Sequence, residues 1–210
     1  MKALRFIYFL NILLLIGNIQ SIEAQTIFSD EQIISINADG AYSVYAADLD
    51  NDGDIDVLSA SSYDDKIAWY ENDGLGNFGT EQIISTNTDS ALSVYAADLD
   101  NDGDIDVLSA SSYDDKIAWY ENDGLGNFST EQIINTNADI AKSVYAADLD
   151  NDGDVDVLSA SVNDDKIAWY ENDGLGNFSN EQIISTNADG ALSVYASDLD
   201  NDGDIDVLSA

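Results

Sequence analysis

From Thr26 onward the apolar residues fall in short runs, β-branched and aromatic, cut by clusters of Asp, Asn and Gly. No proline interrupts them, and none has helical spacing; this is the pattern of strands joined by tight turns. In the first complete unit it predicts strand A over Ser43–Ala47, strand B over Val57–Ser61, strand C over Lys66–Glu71 and strand D from Phe78 to about Ser85. An acidic loop, Asp48 to Asp56, joins A to B, and Tyr63-Asp64-Asp65 turns B into C. Asn72-Asp73-Gly74-Leu75-Gly76-Asn77 turns C into D with residues that tolerate positive φ.

The unit repeats. The segment opening at Ser43 recurs at Ser93, again with small changes at Ser143, and its first half returns at Ser193, a period of fifty residues. Four short antiparallel strands in about forty to fifty residues is the spacing of a β-propeller blade. Strand A is small and apolar (Val44, Ala46, Ala47), as suits a crowded centre, and strand D carries Glu81 and Gln82, as suits an outer edge. A solenoid of the same period is the competing architecture; helical repeats are excluded by the turn chemistry. Thr26 to Ser35 matches strand D alone, three complete units follow, and the last unit stops after A and B. That is one strand short of the roughly sixteen a four-bladed ring requires. The expected fold is therefore all-β, a partial propeller of three full blades plus part-blades over residues 25–210. Either the chain is truncated or the array closes by pairing with other chains. Open blade edges predict self-association.

Residues 1–24 read differently. Lys2 and Arg5 precede an apolar run, Phe6 to Ile16, and a polar stretch ends at Ile22-Glu23-Ala24. This predicts a secretory signal peptide over 1–24, with Gln25 as the mature start and a secreted or cell-surface location. The run is too short to span a bilayer and is broken by Asn11. No cysteine follows it for lipidation.

Charge narrows the partners. The chain has 42 acidic residues against 6 basic ones, no histidine, and a net charge of −36. Such a surface repels nucleic acid and anionic membranes, and no later segment is apolar enough for membrane insertion. High charge also accompanies disorder, but the 3 Trp, 11 Tyr and 6 Phe recur at regular intervals, as a packed fold requires. Without cysteine there are no disulfides.

The acidic loop carries the candidate chemistry. Asp48, Asp50, Asp52, Asp54 and Asp56 occupy positions 1, 3, 5, 7 and 9, with Gly53 at position 6 allowing the sharp turn. Alternate side chains of such a loop converge on one point; position 7 offers its backbone carbonyl and position 9 a carboxylate. The same set recurs at Asp98, Asp100, Asp102, Asp104 and Asp106, then at Asp148, Asp150, Asp152, Asp154 and Asp156. It appears last at Asp198, Asp200, Asp202, Asp204 and Asp206. Carboxylates about 5–7 Å apart repel by roughly 1 kcal/mol per pair even in water. An empty loop is therefore costly by several kcal/mol, which a divalent cation relieves. All-oxygen ligation without His or Cys points to calcium, since magnesium dehydrates reluctantly.

Helical calcium loops of this kind continue into a helix, whereas here Val57-Leu58-Ser59-Ala60 continues as a strand. With DLDNDGDID between strands and IAWYENDGLGNF at fixed spacing, the chain resembles the FG-GAP/VCBS repeat family, related to the integrin α-subunit propeller. The resemblance implies a propeller with calcium in the hairpin between the first two strands of a blade, on the aspartates named above. It also implies ligands on the face opposite calcium. Copy-to-copy differences gather on that face, at Gly40/Ser90/Ile140/Gly190, Tyr42/Leu92/Lys142/Leu192 and Ser62-Tyr63 against Val162-Asn163. Drift in exposed loops explains such differences equally well.

Trp69-Tyr70, Trp119-Tyr120 and Trp169-Tyr170 are expected to be core between blades rather than sugar platforms. Asn127-Phe128-Ser129 and Asn177-Phe178-Ser179 match the glycosylation acceptor pattern. No nucleophile–base constellation is present, so no enzyme activity is expected. The expected function is a secreted, calcium-binding, non-catalytic binding or adhesion module for an extracellular protein or glycan. The alternatives are a calcium-dependent lectin and the scaffold of a larger polysaccharide-degrading enzyme.

Overall fold

The computed structural model describes residues 31–210, which contain strands and turns and no helix. The signal peptide expected over 1–24 lies outside the described residues. Of the strand expected over 26–35, the described residues 31–35 form no strand.

Each unit folds as an antiparallel four-stranded sheet. β1 (Ala41–Ala47), β2 (Asp56–Ser61), β3 (Lys66–Tyr70) and β4 (Gln82–Ser85) pair in chain order. β5 (Ala91–Ala97), β6 (Asp106–Ser111), β7 (Lys116–Tyr120) and β8 (Gln132–Asn135) repeat the arrangement. So do β9 (Ala141–Ala147), β10 (Asp156–Ser161), β11 (Lys166–Tyr170) and β12 (Gln182–Ser185). β13 (Val194–Ser197) and β14 (Asp206–Ser209) form a two-stranded half-blade. The sheets do not close into a ring, so the expected partial propeller is what the residues from Ile34 to Ala210 build.

Two element boundaries differ from the sequence reading for physical reasons. Strand A begins at Ala41 because a bulge carries the chain past Tyr42: Ala41 pairs with Ser61 and Ser43 with Ala60. The same skip occurs at Leu92 and Lys142. Strand D is shorter than expected. Phe78 makes a single bridge to Asn72, and the ladder resumes only at Gln82, after Glu81 has turned toward Lys66 and the Tyr70 hydroxyl.

The core lies between successive blades. Leu58, Ile67 and Trp69 of the first blade pack on Val94, Val107 and Tyr120 of the second. Leu108, Ile117 and Trp119 meet Val144, Val157 and Tyr170 in the same way. The Trp-Tyr pairs are thus core, with Trp69, Tyr70, Trp119, Tyr120 and Tyr170 all buried. Strands B and C are buried along nearly their whole length because each is covered on both faces. On the inner strands Tyr45, Tyr95, Tyr145 and Tyr195 form a ladder with ring centroids 4.5, 4.8 and 4.7 Å apart.

One cation per blade ties these parts together. Lys66 pairs with Asp64 of the B–C turn (2.9 Å) and Glu81 before strand D (2.8 Å), and its ammonium donates to the Asn37 carbonyl (3.0 Å). Lys116 and Lys166 repeat this with Asp114 and Glu131, and with Asp164 and Glu181. Burial alone raises the Asp64 carboxyl, but hydrogen bonds from Ser61 and Lys66 outweigh it and hold the group below the usual carboxylate range.

Candidate metal loops and an opposite groove

The A–B loop is wound by its own side chains. Asn51 takes a left-handed conformation (φ 58°) and Gly53 follows at φ 94°, so the chain doubles back within six residues of Asp48. The Gly53 amide donates to Asp48 Oδ2 (3.0 Å), and the Asp54 amide donates to Asp52 Oδ1 (2.8 Å). Asp56, at the first position of β2, is fully buried. Its two oxygens accept from the Leu49 amide (2.9 Å) and the Asn72 amide (2.8 Å), which fixes the carboxylate against the neighbouring turn.

This winding brings Asp48, Asp50 and Asp56 together, with one carboxylate oxygen from each within 4.8 Å of the others. Asp98, Asp100 and Asp106 converge likewise, as do Asp148, Asp150 and Asp156, and Asp198, Asp200 and Asp206. Asp52, Asp102, Asp152 and Asp202 lie outside the clusters, spending a carboxylate oxygen on the amide two residues on. Asp54, Asp104, Asp154 and Asp204 lie outside them too. Asp104 Oδ1 accepts from Asn51 Nδ2 of the preceding loop (2.6 Å), and Asp154 from Asn101 (2.7 Å). These position-7 side chains therefore join neighbouring loops, leaving the backbone carbonyl as the group they offer to a cation.

The electrostatics of the clusters favour a bound cation. Burial pushes the Asp106 carboxyl up to about 7 and Asp156 up to about 6, against the two backbone hydrogen bonds each accepts. Burial also raises Asp56. Burial, and then the charge of the adjacent position-5 aspartate, raise Asp50, Asp100 and Asp150. In addition, Asp48 Oδ1 and Asp98 Oδ1 are buried and accept no hydrogen bond. A buried carboxylate oxygen without a donor is expensive unless a cation faces it. Three converging carboxylates, one with such an oxygen, suit a hard, oxygen-seeking ion such as calcium.

A residue outside the sequence prediction completes the wall between loops. Asn122 is buried, and its amide donates to the Leu49 carbonyl of the preceding loop and the Ile105 carbonyl of its own, both at 2.8 Å. Its Oδ1 accepts from the Gly124 amide (3.2 Å). Asn172 does the same between Leu99 and Val155. The sequence signal was present, since Asn opens each C–D turn, but it read only as turn chemistry.

At the other end of the blades, the B–C turns and D–A links surround a groove of about 550 Å³. The bulged residues Tyr42, Leu92 and Lys142 line it, with Tyr63, Tyr113 and Ile140. A bulge re-aims a side chain, and here it turns these three into the groove. Tyr63 and Tyr113 are 80% and 75% exposed. The Lys142 ammonium stands 6.0 Å above the Tyr42 ring. The groove is thus lined by the positions at which otherwise matching copies differ.

Two solved structures of similar fold align over most of this chain. An Agrocybe aegerita lectin that recognises non-reducing terminal N-acetylglucosamine aligns with a TM-score of 0.63 at 18% identity, over 89% of this chain and 53% of that one. BBS1N, solved in complex with ARL6DN, aligns with a TM-score of 0.56 at 12% identity, over 83% of this chain and 52% of that one. The biofilm matrix protein Bap1 of V. cholerae aligns over 80% of this chain and 24% of its own, with a TM-score of 0.48 and 20% identity. This chain thus spans about half the length of the lectin. No curated protein matches it. The model of the FG-GAP-like repeat matches three times, over residues 48–109, 98–159 and 148–209, each match running from an acidic loop to the strand after the next one. With most of its length so matched, the chain belongs to the FG-GAP-like repeat family.

Proposed function

We propose that this chain is an extracellular, non-catalytic binding module whose loops are held by calcium and whose ligand, a protein or a glycan, enters the groove opposite them. The observation that carries the calcium reading is the convergence of Asp48, Asp50 and Asp56 within 4.8 Å, repeated in every loop. Asp48, Asp50 and Asp56, and their counterparts, would hold the ion. Its charge would offset their mutual repulsion and lock the A–B loop against the C–D turn. Location outside the cell is supported by the leader-like sequence of residues 1–24, and millimolar extracellular calcium suits loops of this type.

The test is isothermal titration of calcium into chelator-treated protein, with a melting curve in parallel. Near-millimolar calcium should add roughly 0.5–1.5 kcal/mol per site. The fourth loop, whose Asp206 is exposed where Asp56, Asp106 and Asp156 are buried, should bind most weakly. A melting temperature indifferent to chelator would end the calcium reading.

A lectin is the second reading, favoured by Tyr63 and Tyr113 at the groove. Exposed aromatic faces stack on sugar rings. The Agrocybe aegerita lectin has the same fold and recognises a terminal sugar. A glycan array probed with and without calcium decides between glycan and protein ligands, because no calcium-dependent hit leaves only a protein.

A further inference from the structure

Positive charge is scarce in this chain and unevenly placed. Beyond residue 24 the basic residues are Lys66, Lys116, Lys142 and Lys166. Lys66, Lys116 and Lys166 are buried, and each ammonium is held between two carboxylates. Lys142 differs from them. Among the described residues it is the one basic group without a carboxylate partner, and its ammonium stands over the Tyr42 ring, across the groove from its own blade. The matching positions of the other copies hold Tyr42, Leu92 and Leu192, so a single change in the third blade puts a cation there.

The groove itself is the reverse of the surface around it. No described aspartate or glutamate lines it, although the chain holds 42 acidic residues. The acids of the adjoining turns are engaged elsewhere or solvated. Asp64 and Asp114 hold Lys66 and Lys116, Asp139 accepts from Asn163 Nδ2 (3.1 Å), and Asp39 and Asp89 are exposed. What remains in the groove is one ammonium, the largely exposed rings of Tyr63 and Tyr113, and the hydroxyl-bearing Ser90 and Ser112. All of the lining comes from the three complete blades. The volume of about 550 Å³ falls within the roughly 300–1,000 Å³ of sites that enclose small ligands.

We propose that this groove takes the end of a glycan that terminates in an acidic sugar, with Lys142 pairing with the sugar carboxylate and Tyr63 and Tyr113 stacking on ring faces. The proposal rests on the glycan reading of the groove given above and adds the class of sugar. Charge limits the ligand on two sides. A neutral sugar gives the ammonium nothing that water does not, whereas a polyanion is repelled by a chain of net charge −36. One carboxylate at a chain end matches one cation. A peptide carboxylate would pair with Lys142 equally well, but it brings no ring to cover the two tyrosines. A half-exposed ion pair of this kind is worth about a fivefold preference, whereas stacking on tyrosine serves acidic and neutral sugars alike.

The test is an NMR titration of the chain, in calcium-containing buffer, with disaccharides ending in glucuronic, galacturonic or sialic acid, each beside its own uncharged carboxamide. At least one acid should bind about fivefold more tightly than its amide. Lys142→Leu, which installs the residue found in two other copies, should abolish that preference, and Lys142→Arg should keep it. Tyr113→Ala should weaken acid and amide alike. An unchanged melting temperature confirms that the variants fold. Acids and amides bound equally overturn the proposal and leave the glycan reading standing, whereas no binding by any sugar ends both. A preference that survives Lys142→Leu also overturns it. So does sugar binding that Tyr113→Ala leaves untouched, or a peptide with a free terminal carboxylate that binds more tightly than every acid.

Discussion

Calcium should reverse the sign of this protein's pH dependence. Asp106 and Asp156 are raised to about 7 and about 6 in the fold, principally by burial, whereas in the unfolded chain they titrate near 3.9. A raised carboxyl binds its proton more tightly folded than unfolded. Without calcium, therefore, stability is lost as pH rises through the window from about 4 to 7. Between pH 5 and 8 the loss is about 1.4 kcal/mol for each unit by which the folded value exceeds 5. That is about 3 kcal/mol for Asp106 and about 1.4 kcal/mol for Asp156. Asp56 adds in the same direction. With calcium bound the carboxylates must be ionised, so protons compete with the ion and stability rises over the same window.

Asp50, Asp100 and Asp150, also raised, act in the same direction. Asp64 and Asp164 are lowered and titrate beneath the window; Lys66, Lys116 and Lys166 are raised and titrate far above it. Melting curves at pH 5, 6, 7 and 8 are the assay, each run in chelator and in excess calcium. About 4 kcal/mol in a domain of this size corresponds to roughly 8–16 °C. In chelator the melting temperature should fall by about that much from pH 5 to 8, and in calcium it should rise. Two parallel curves would refute the reasoning, because the buried loop carboxylates would then not be the groups that take up either the proton or the ion.

Three substitutions read other parts of the fold by thermal or denaturant unfolding. Ile140 holds φ at 56°, a left-handed conformation costly for a β-branched residue, at a position where Gly40 and Gly190 stand in other blades; Ile140→Gly should stabilise by about 0.5–1 kcal/mol. Asn122→Ala leaves the buried carbonyls of Leu49 and Ile105 without donors and should cost about 2–3 kcal/mol; the Asn72 side-chain amide donates only to the Ile55 carbonyl, so Asn72→Ala should cost less. Lys116→Met strands Asp114 and Glu131 without their cation and should cost about 3 kcal/mol.

The blade was legible in the sequence because every level of it agreed. The β-branched runs, the Asn- and Gly-rich turns and the fifty-residue period all specify the same four strands, and B and C were placed to within a residue. Strand A was misplaced at its start because a bulge has no signature in composition. The skip at Tyr42, Leu92 and Lys142 shows only in the register with strand B. All five aspartates of a loop were named as ligands, position 7 through its backbone carbonyl, because spacing alone does not say where a side chain turns. Backbone amides draw Asp52 inward, and Asn51 of the neighbouring loop engages Asp104 from outside, leaving positions 1, 3 and 9 as the convergent set. Contacts between blades, such as those of Asn122 and the tyrosine ladder, join residues fifty or more apart and required the blades to be stacked first.

Identity among the copies makes each blade a control for its neighbours. A residue that is buried in one copy and exposed in another differs in surroundings, not in chemistry. Val44 and Val94 have the same flanking strand, yet one is 70% exposed and the other 4%. The difference measures what an adjoining blade supplies. The same comparison runs through the loops, since Asp206 matches Asp56 in sequence but lacks the C–D turn that buries it. On the calcium reading, affinity should therefore follow the company a loop keeps as much as its own aspartates, and a calcium titration that found buried and exposed loops equal would refute this.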